Sequence, residues 1–410
     1  MSEKKLSFPK NKIKVLLLEK IDTIAKSIFE KEGYKIETLD TSLNEQELSK
    51  KIKDISILGI RSKTVITKKV LQSANKLLSI GAYCIGTNQI TLKECQKKGV
   101  IVFNAPYSNT RSVVEIVIAQ IIILMRNIIK KSNQMHKGIW KKDSINSYEI
   151  RNKILGIVGY GNIGSQLSVV AESLGLKVIY YDILDKLSIG NAKRYDSMKK
   201  LLKKCDILSI HVDGREENTN LIGDKEINLM KKGAILINYS RGKIVNINSL
   251  KRNLKNNKLH GAAIDVFPEE PLNNKEKFKS ELIGLNNVIL SPHVGGSTKE
   301  AQKNIGSFVP QKIIEYINSG NSSNSVNFPN LSLPEQKKAH RFIHIHKNEP
   351  GIMLKINKIL SDYNINIVGQ YLKTNESIGY VITDINREYN KQVIQSLRKI
   401  DDTIRLRVLY

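Results

Sequence analysis

A chain of 410 residues is longer than one hydrophobic core usually serves, so two or three domains are expected. Hydrophobic content of 40% and charged content of 26% exclude a fibrous or wholly disordered protein. The net charge of +27 invites a nucleic-acid reading, but it rests on 53 Lys and 13 Arg with only 6% aromatics, and the lysines fall in scattered pairs at Lys50, Lys68, Lys97, Lys130 and Lys199. Base reading and strand stacking use clustered arginine and interleaved aromatics, so the charge reads as solvated surface with neither nucleic acid nor membrane as partner.

Cys84, Cys95 and Cys205 are widely spaced with no paired CxxC, which indicates neither a disulfide framework nor a metal site. The start, "MSEKKLSFPKNK", is charged and has no apolar core, so no secretory signal is expected and the chain reads as cytoplasmic. From Ile13 onward, short apolar runs alternate with amphipathic stretches: "KVLLLE", a helix through "IAKSIFEKEG", then "ISILGIRS", "KLLSIGAY" and "VIVFNAP". This alternation predicts β-α units on a parallel sheet. The apolar stretch "VVEIVIAQIIILM" is interrupted by Glu115 and Gln120 and falls short of a membrane span, so a buried core helix is expected there.

A second α/β run begins at "KILGIVGYGNIG" and continues through "KVIYYD", "CDILSIHV", "GAILINYS", "HGAAIDVF" and "NVILSPH", ending at Gly295-Gly296. A long helix, "STKEAQKNIGSFVPQKIIEYINSG", and a polar linker with Asn, Ser and Pro follow. The last seventy or so residues read as strand, helix, strand, strand, helix, strand, the βαββαβ order of a small ferredoxin-like domain.

Gly159-Tyr160-Gly161-Asn162-Ile163-Gly164 matches GxGxxG, follows a predicted strand and opens a predicted helix, and Asp182 closes the next strand about 20 residues on. In that setting Gly159 permits a tight turn, Gly161 lets backbone approach a pyrophosphate, and Gly164 lets helix and strand pack. Asp182 would accept from a ribose 2′-hydroxyl and repel a 2′-phosphate, which favours NAD over NADP.

Arg241 in "INYSRG", Glu270 in "IDVFPEEP" and His293 in "LSPHVGGST" each follow a successive strand of this sheet, at the carboxyl ends where such sheets place ligands. An arginine can fork onto a carboxylate, and a histidine beside a carboxylate exchanges protons near neutral pH, which suits hydride transfer from a hydroxyl-bearing carbon. Asp265, just upstream of Glu270, reads as a buried structural acid, though it also belongs with the candidate coenzyme contacts.

"GYGNIGSQL", "INYSRG", "GAAIDVFPEEP" and "SPHVGGST", in that order and spacing, resemble the D-isomer-specific 2-hydroxyacid dehydrogenases. "RSKT", "GAYCIGTNQI", "VFNAPYSNTRSVVE" and the C-terminal domain are similar to the members that oxidise 3-phosphoglycerate and carry an ACT regulatory domain. The resemblance implies that Arg241 orients the substrate carboxylate, Glu270 pairs with His293, and His293 is the general acid/base. It implies substrate contacts from Arg61, Ser62, Asn109 and Gln302, and L-serine as an inhibitor held by His346, Asn348 and Asn366 between two such domains. It also implies a homotetramer, with 2-oxoglutarate as a further substrate.

The implied architecture is two doubly wound parallel-sheet domains plus the ferredoxin-like domain. Residues 1–108 and 296–336 form a substrate-binding domain, 109–295 an inserted Rossmann domain for NAD, and 337–410 the regulatory domain. Trp140 matches a family residue that packs on a neighbouring subunit, with an ordinary core aromatic as the alternative. Two departures from the family pattern stand out, Asp213 where proline is usual and Glu349 where arginine is common. A reductase of hydroxypyruvate or glyoxylate and a non-catalytic NAD(H)-sensing binding protein remain open as alternatives.

Overall fold

The computed structural model describes residues 9–271, 275–333, 339–386 and 391–409. The chain forms two compact units, one drawn from Met1–Ser108 and Gln302–Tyr410, the other from Asn109–Ala301. The boundary expected at residues 336 and 337 lies outside the described residues.

The first unit begins with a parallel sheet of β1 (Lys14–Leu17), β2 (Lys35–Thr38), β3 (Ile57–Ile60), β4 (Ser79–Ala82) and β5 (Ile101–Phe103), ordered β2-β1-β3-β4-β5. Every residue of β3, β4 and β5 is buried, Ser79 being the one polar side chain among them. The edge strand β2 has no such signature: "KIET" is polar, and only Ile36 is partly buried. It is held by pairing with β1, in the register Val15 to Ile36.

The second unit carries β6 (Ile154–Val158), β7 (Lys177–Tyr181), β8 (Lys193–Arg194), β9 (Ile207–Ile210), β10 (Ala234–Asn238), β11 (Leu259–Ile264) and β12 (Val288–Leu290). All pair in parallel, in the order β12-β11-β10-β9-β6-β7-β8. The chain leaves β6 toward β7 on one side and later returns to β9 on the other, so the strand order reverses beside β6. That reversal opens a crevice at the carboxyl ends of the strands. The apolar stretch after Asn109 is the helix Thr110–Met125, whose Val113, Val117, Ile121 and Leu124 are buried in one cluster with Leu155, Ile157, Ile235 and Ile237. Three- and four-residue spacing puts those four side chains on one face. Truncating one of them, as in Ile121→Ala, would cost about 2–5 kcal/mol. Among the described residues no single helix is long and apolar enough to cross a membrane.

The C-terminal sheet, part of the first unit, contains β13 (His340–Lys347), β14 (Ile367–Thr374), β15 (Ile378–Ile385) and β16 (Thr403–Leu409), antiparallel in the order β14-β15-β13-β16. Helices Ile352–Asp362 and Lys391–Arg398 complete the βαββαβ unit. Alternation along β13 sends Phe342 into the cluster with Ile356 and Leu397 of the helices, and Ile343 and Ile345 into a cluster with Tyr316 and Phe328. The buried Arg341 forks onto Asp384 at 2.7 and 2.8 Å and donates to Ser319 O at 2.8 Å, while Arg407 donates to Ile317 O at 3.0 Å. Carbonyls at the end of helix Lys299–Ser319, which lack intrahelical donors, are thus satisfied from the C-terminal sheet.

Candidate active site

The glycine-rich loop follows β6, beside the strand-order reversal. Gly159 sits at φ +92°, a left-handed conformation that glycine takes without strain, and a Cβ there would also meet the His211 carbonyl oxygen at 2.7 Å. Gly161 precedes the helix Asn162–Ser173, whose start is capped by no side chain, and a Cβ on Gly161 would meet nothing within 4 Å. The first N–H groups of that helix and the positive end of its dipole therefore face open space, the setting an anionic pyrophosphate requires.

Asp182, immediately after β7, accepts from Tyr160 N at 2.7 Å through Oδ2 and from Leu184 N at 2.9 Å through Oδ1. It braces the glycine loop and keeps lone-pair capacity for a ribose hydroxyl. The loop and this acid fit a dinucleotide. Of the remaining loop side chains, Asn162 is exposed and Ile163 packs partly into the core. The Tyr160 ring is buried, stacked on Tyr180 with centroids 3.7 Å apart, and its hydroxyl lies 2.7 Å from Ser168 Oγ. Tyr160 therefore serves the loop through its backbone alone. Asp213 accepts from Arg215 Nε at 2.7 Å and from Asn218 Nδ2 at 3.1 Å, so it is engaged within its own loop.

Arg241, Glu270 and His293 follow β10, β11 and β12, at one edge of the sheet. His293 Nδ1 lies 2.8 Å from Glu270 Oε2, and Glu270 Oε1 accepts from Phe267 N at 3.1 Å. The carboxylate, itself anchored, fixes the imidazole with its proton on Nδ1 and leaves Nε2 without a protein partner among the described residues. The His293 side chain is 51% exposed and that of Glu270 36%, so the pair is open to a small molecule.

The hydrogen bond to Glu270 raises the His293 pKa from its ordinary 6.5, against the opposing pull of burial and with further help from the charges of Glu270 and Asp265. For Glu270, burial pushes the pKa up, but the hydrogen bond and charge of His293, the Phe267 N–H and the charge of Arg241 together bring it below the ordinary value. Arg241 is thus close enough for its charge to act on both partners. Gly242 explains how it arrives there: a Cβ at that position would meet the Phe267 carbonyl carbon at 1.9 Å, so only glycine lets the Arg241 loop close onto the Phe267–Pro268 backbone that leads to Glu270.

Asp265 is 1% exposed and holds the histidine loop. Its Oδ1 accepts from Ser291 Oγ at 2.6 Å and Val294 N at 2.9 Å, its Oδ2 from Gly295 N at 2.8 Å, and its carbonyl from His293 N at 2.8 Å. His293 itself is at φ +54°, uncommon for a residue other than glycine. Asn238 does the same for the arginine loop, accepting from Ser240 N at 3.1 Å and donating to Arg241 O at 3.1 Å. Sequence reading missed Asn238 and Ser291, since a polar residue at a strand end carries no signal of its own. His211, partly buried, is a second imidazole and lies near the glycine loop. Burial pushes its pKa down to about 4, and its Nε2 lies 2.8 Å from Ser209 Oγ, so it stays neutral where His293 titrates.

Arg61 and Ser62 follow β3 in the first unit, and Gln302 lies in its helix Lys299–Ser319. Ser62 is exposed and Arg61 partly so, and among the described residues no acceptor takes a hydrogen bond from the Arg61 guanidinium. Asn109, in the second unit, lies against Gly296, where a Cβ would meet its Nδ2 at 2.1 Å, and its Oδ1 is buried with no partner among the described residues. Trp140 is 78% exposed, which overturns the core alternative for it.

His346 is buried on β13, its Nδ1 2.5 Å from Lys347 O and its Nε2 without a partner among the described residues. Asn348 donates to Asn375 O at 2.9 Å. Asn366 is exposed and directly precedes β14. The registers pair His346 with Gly379 but Ile367 with Ile385, so Asn366 is at the opposite end of the sheet from His346 and Asn348. One chain does not bring the three together.

The family model of the D-isomer specific 2-hydroxyacid dehydrogenase NAD binding domain matches residues 118–295, and that of the AHAS small subunit-like ACT domain matches residues 342–405. A D-3-phosphoglycerate dehydrogenase of Dictyostelium discoideum is 48% identical over 98% of this chain and 99% of its own length. One from Haemophilus influenzae is 47% identical over 99% of each. The solved structure of a D-2-hydroxyisocaproate dehydrogenase, 26% identical, covers 77% of this chain and 100% of its own with a TM-score of 0.68.

Proposed function

Because the chain belongs to the D-isomer specific 2-hydroxyacid dehydrogenases, we propose that it oxidises 3-phosphoglycerate to 3-phosphohydroxypyruvate with NAD, the first step of L-serine synthesis. The observation that carries the chemistry is the 2.8 Å contact between His293 Nδ1 and Glu270 Oε2. It leaves Nε2 as the atom that takes the proton of the substrate hydroxyl, and the adjacent carboxylate stabilises the imidazolium that results. NAD, when bound, supplies the acceptor for the hydride that leaves the same carbon. The glycine loop Gly159–Gly164 holds the pyrophosphate, and Asp182 takes the ribose hydroxyl and rejects a 2′-phosphate.

Arg241 forks onto the substrate carboxylate. A substrate with about three negative charges needs further donors, which Arg61, Ser62, Asn109 and Gln302 supply. The reading extends to regulation: L-serine inhibits by binding His346 and Asn348 of one copy and Asn366 of a second, and the separation of these residues within one chain is what favours a site shared by two. The same reading makes the enzyme a cytoplasmic homotetramer, with 2-oxoglutarate reduction as a side activity, on the strength of the likeness to its relatives.

The test is NADH production from 3-phosphoglycerate, run beside the reduction of hydroxypyruvate, glyoxylate and 2-oxoglutarate, with and without L-serine. The proposal requires 3-phosphoglycerate or its keto product to give the highest kcat/KM. A higher value for glyoxylate would assign the chain to a different 2-hydroxy acid.

A further inference from the structure

The Arg61 loop is braced by a residue that no motif in the sequence marks. Glu19 lies just beyond β1 and is 7% exposed. Its Oε2 accepts from Lys63 N at 3.0 Å and its Oε1 from Thr64 N at 2.8 Å, contacts that span 44 and 45 residues of sequence. Both oxygens of one buried carboxylate are therefore committed to consecutive backbone donors of "RSKT". From the other side, Gln89 Nε2 donates to Arg61 O at 2.6 Å. Main-chain groups at both ends of the four-residue loop are thus tied down, while the Arg61 guanidinium has no acceptor among the described residues.

The backbone at Glu19 is itself under constraint. Glu19 and Lys20 both adopt positive φ, at +63° and +52°, though neither is glycine. Two consecutive residues in that region persist only where their surroundings over-determine them, and such strain gathers at functional sites. Here the surroundings are visible: Glu19 N donates to Thr41 O and Lys20 N to Leu39 O, so the turn is held while its first side chain reaches across to β3. A carboxylate suits the task, because it accepts two N–H bonds at once and, being acceptor-only, cannot compete for the anion that Arg61 awaits.

We infer that Glu19, assisted by Gln89, is a positioning residue that pre-organises Arg61 and Ser62 for the anionic substrate. The inference rests on the reading that Arg61 and Ser62 contact the substrate. Its consequence is a binding effect without a chemical one, since a displaced guanidinium weakens the hold on the anion but leaves His293 untouched.

The experiment uses the full-length enzyme, with 3-phosphoglycerate and NAD as probes, and the variants Glu19→Ala, Glu19→Gln, Gln89→Leu, Arg61→Ala and Glu19→Ala/Arg61→Ala. Misplacement of a binding group by about 1 Å is enough to cost one to two orders of magnitude. Glu19→Ala is thus expected to raise the KM for 3-phosphoglycerate by about 10-fold or more, with kcat and the KM for NAD held. Glu19→Gln, which keeps one acceptor oxygen, should fall between it and the parent. In the Arg61→Ala background the same change should add far less than it does alone, because the charged group it positions is gone and only Ser62 remains to be displaced.

An unchanged KM for 3-phosphoglycerate in Glu19→Ala, or a full additional increase in the double variant, overturns the inference. If Glu19→Ala does not fold, Gln89→Leu carries the test with the same KM signature. If Arg61→Ala itself leaves the KM unchanged, it is the substrate assignment of Arg61 that fails.

Discussion

Asp265→Asn separates a buried acid that holds the histidine from one that only contacts coenzyme. The carboxylate accepts three hydrogen bonds, from Ser291 Oγ, Val294 N and Gly295 N. Asparagine keeps the shape but has one acceptor oxygen, and whichever way its amide turns, its NH2 faces one of the two backbone N–H groups. One buried N–H then loses its acceptor, at about 1–3 kcal/mol, and the surviving bonds fall from charge-assisted to neutral strength, at about 1 kcal/mol more. The sum, about 2–4 kcal/mol, corresponds to a fall in Tm of roughly 4–16 °C for a unit of this size. The released segment carries His293, so kcat should drop by about 10-fold or more. Differential scanning fluorimetry and steady-state NADH production read the two effects. A variant with parental Tm and parental kcat would refute the view that Asp265 fixes the histidine loop.

Glu270→Gln should move the acid limb of kcat/KM for oxidation to lower pH. The base must be unprotonated, so the rate rises as pH passes the His293 pKa, which Glu270 now holds above 6.5; a limb that stays in place would detach the pair from the profile. His211→Asn should leave that limb where it is, since the His211 pKa is depressed to about 4. Asp182→Asn keeps an acceptor for Tyr160 N but removes the charge, so NADP should become a better coenzyme relative to NAD, and unchanged discrimination would contradict its assignment to the ribose. Asn366→Ala should abolish any response to L-serine, and a retained response would put the effector elsewhere.

The parallel sheets were legible because their inner strands are apolar on both faces and their helices have a 3.6-residue period. The strand Lys35–Thr38 was not, since only Ile36 turns inward and its place comes from pairing with Lys14–Leu17. At the site, residue types at strand ends drew attention to Arg241, Glu270 and His293, but their supports are set by tertiary contact. Gly242 reads as part of a turn until its closeness to the Phe267 carbonyl is seen, and Glu19 is an ordinary surface-like acid until it is found 7% exposed and bonded to Lys63 and Thr64. Tyr160 shows the reverse case: a loop position that looks like a coenzyme contact turns its ring into the core against Tyr180.

The most direct test of the chemistry is His293→Ala, assayed for NADH production from 3-phosphoglycerate and for NAD affinity by direct titration. Loss of the proton acceptor should lower kcat by about 10²–10⁴-fold and abolish the pH limb, with the Kd for NAD unchanged. A parallel loss of NAD affinity and rate would mean that the imidazole holds the fold together and that the proton leaves by another route.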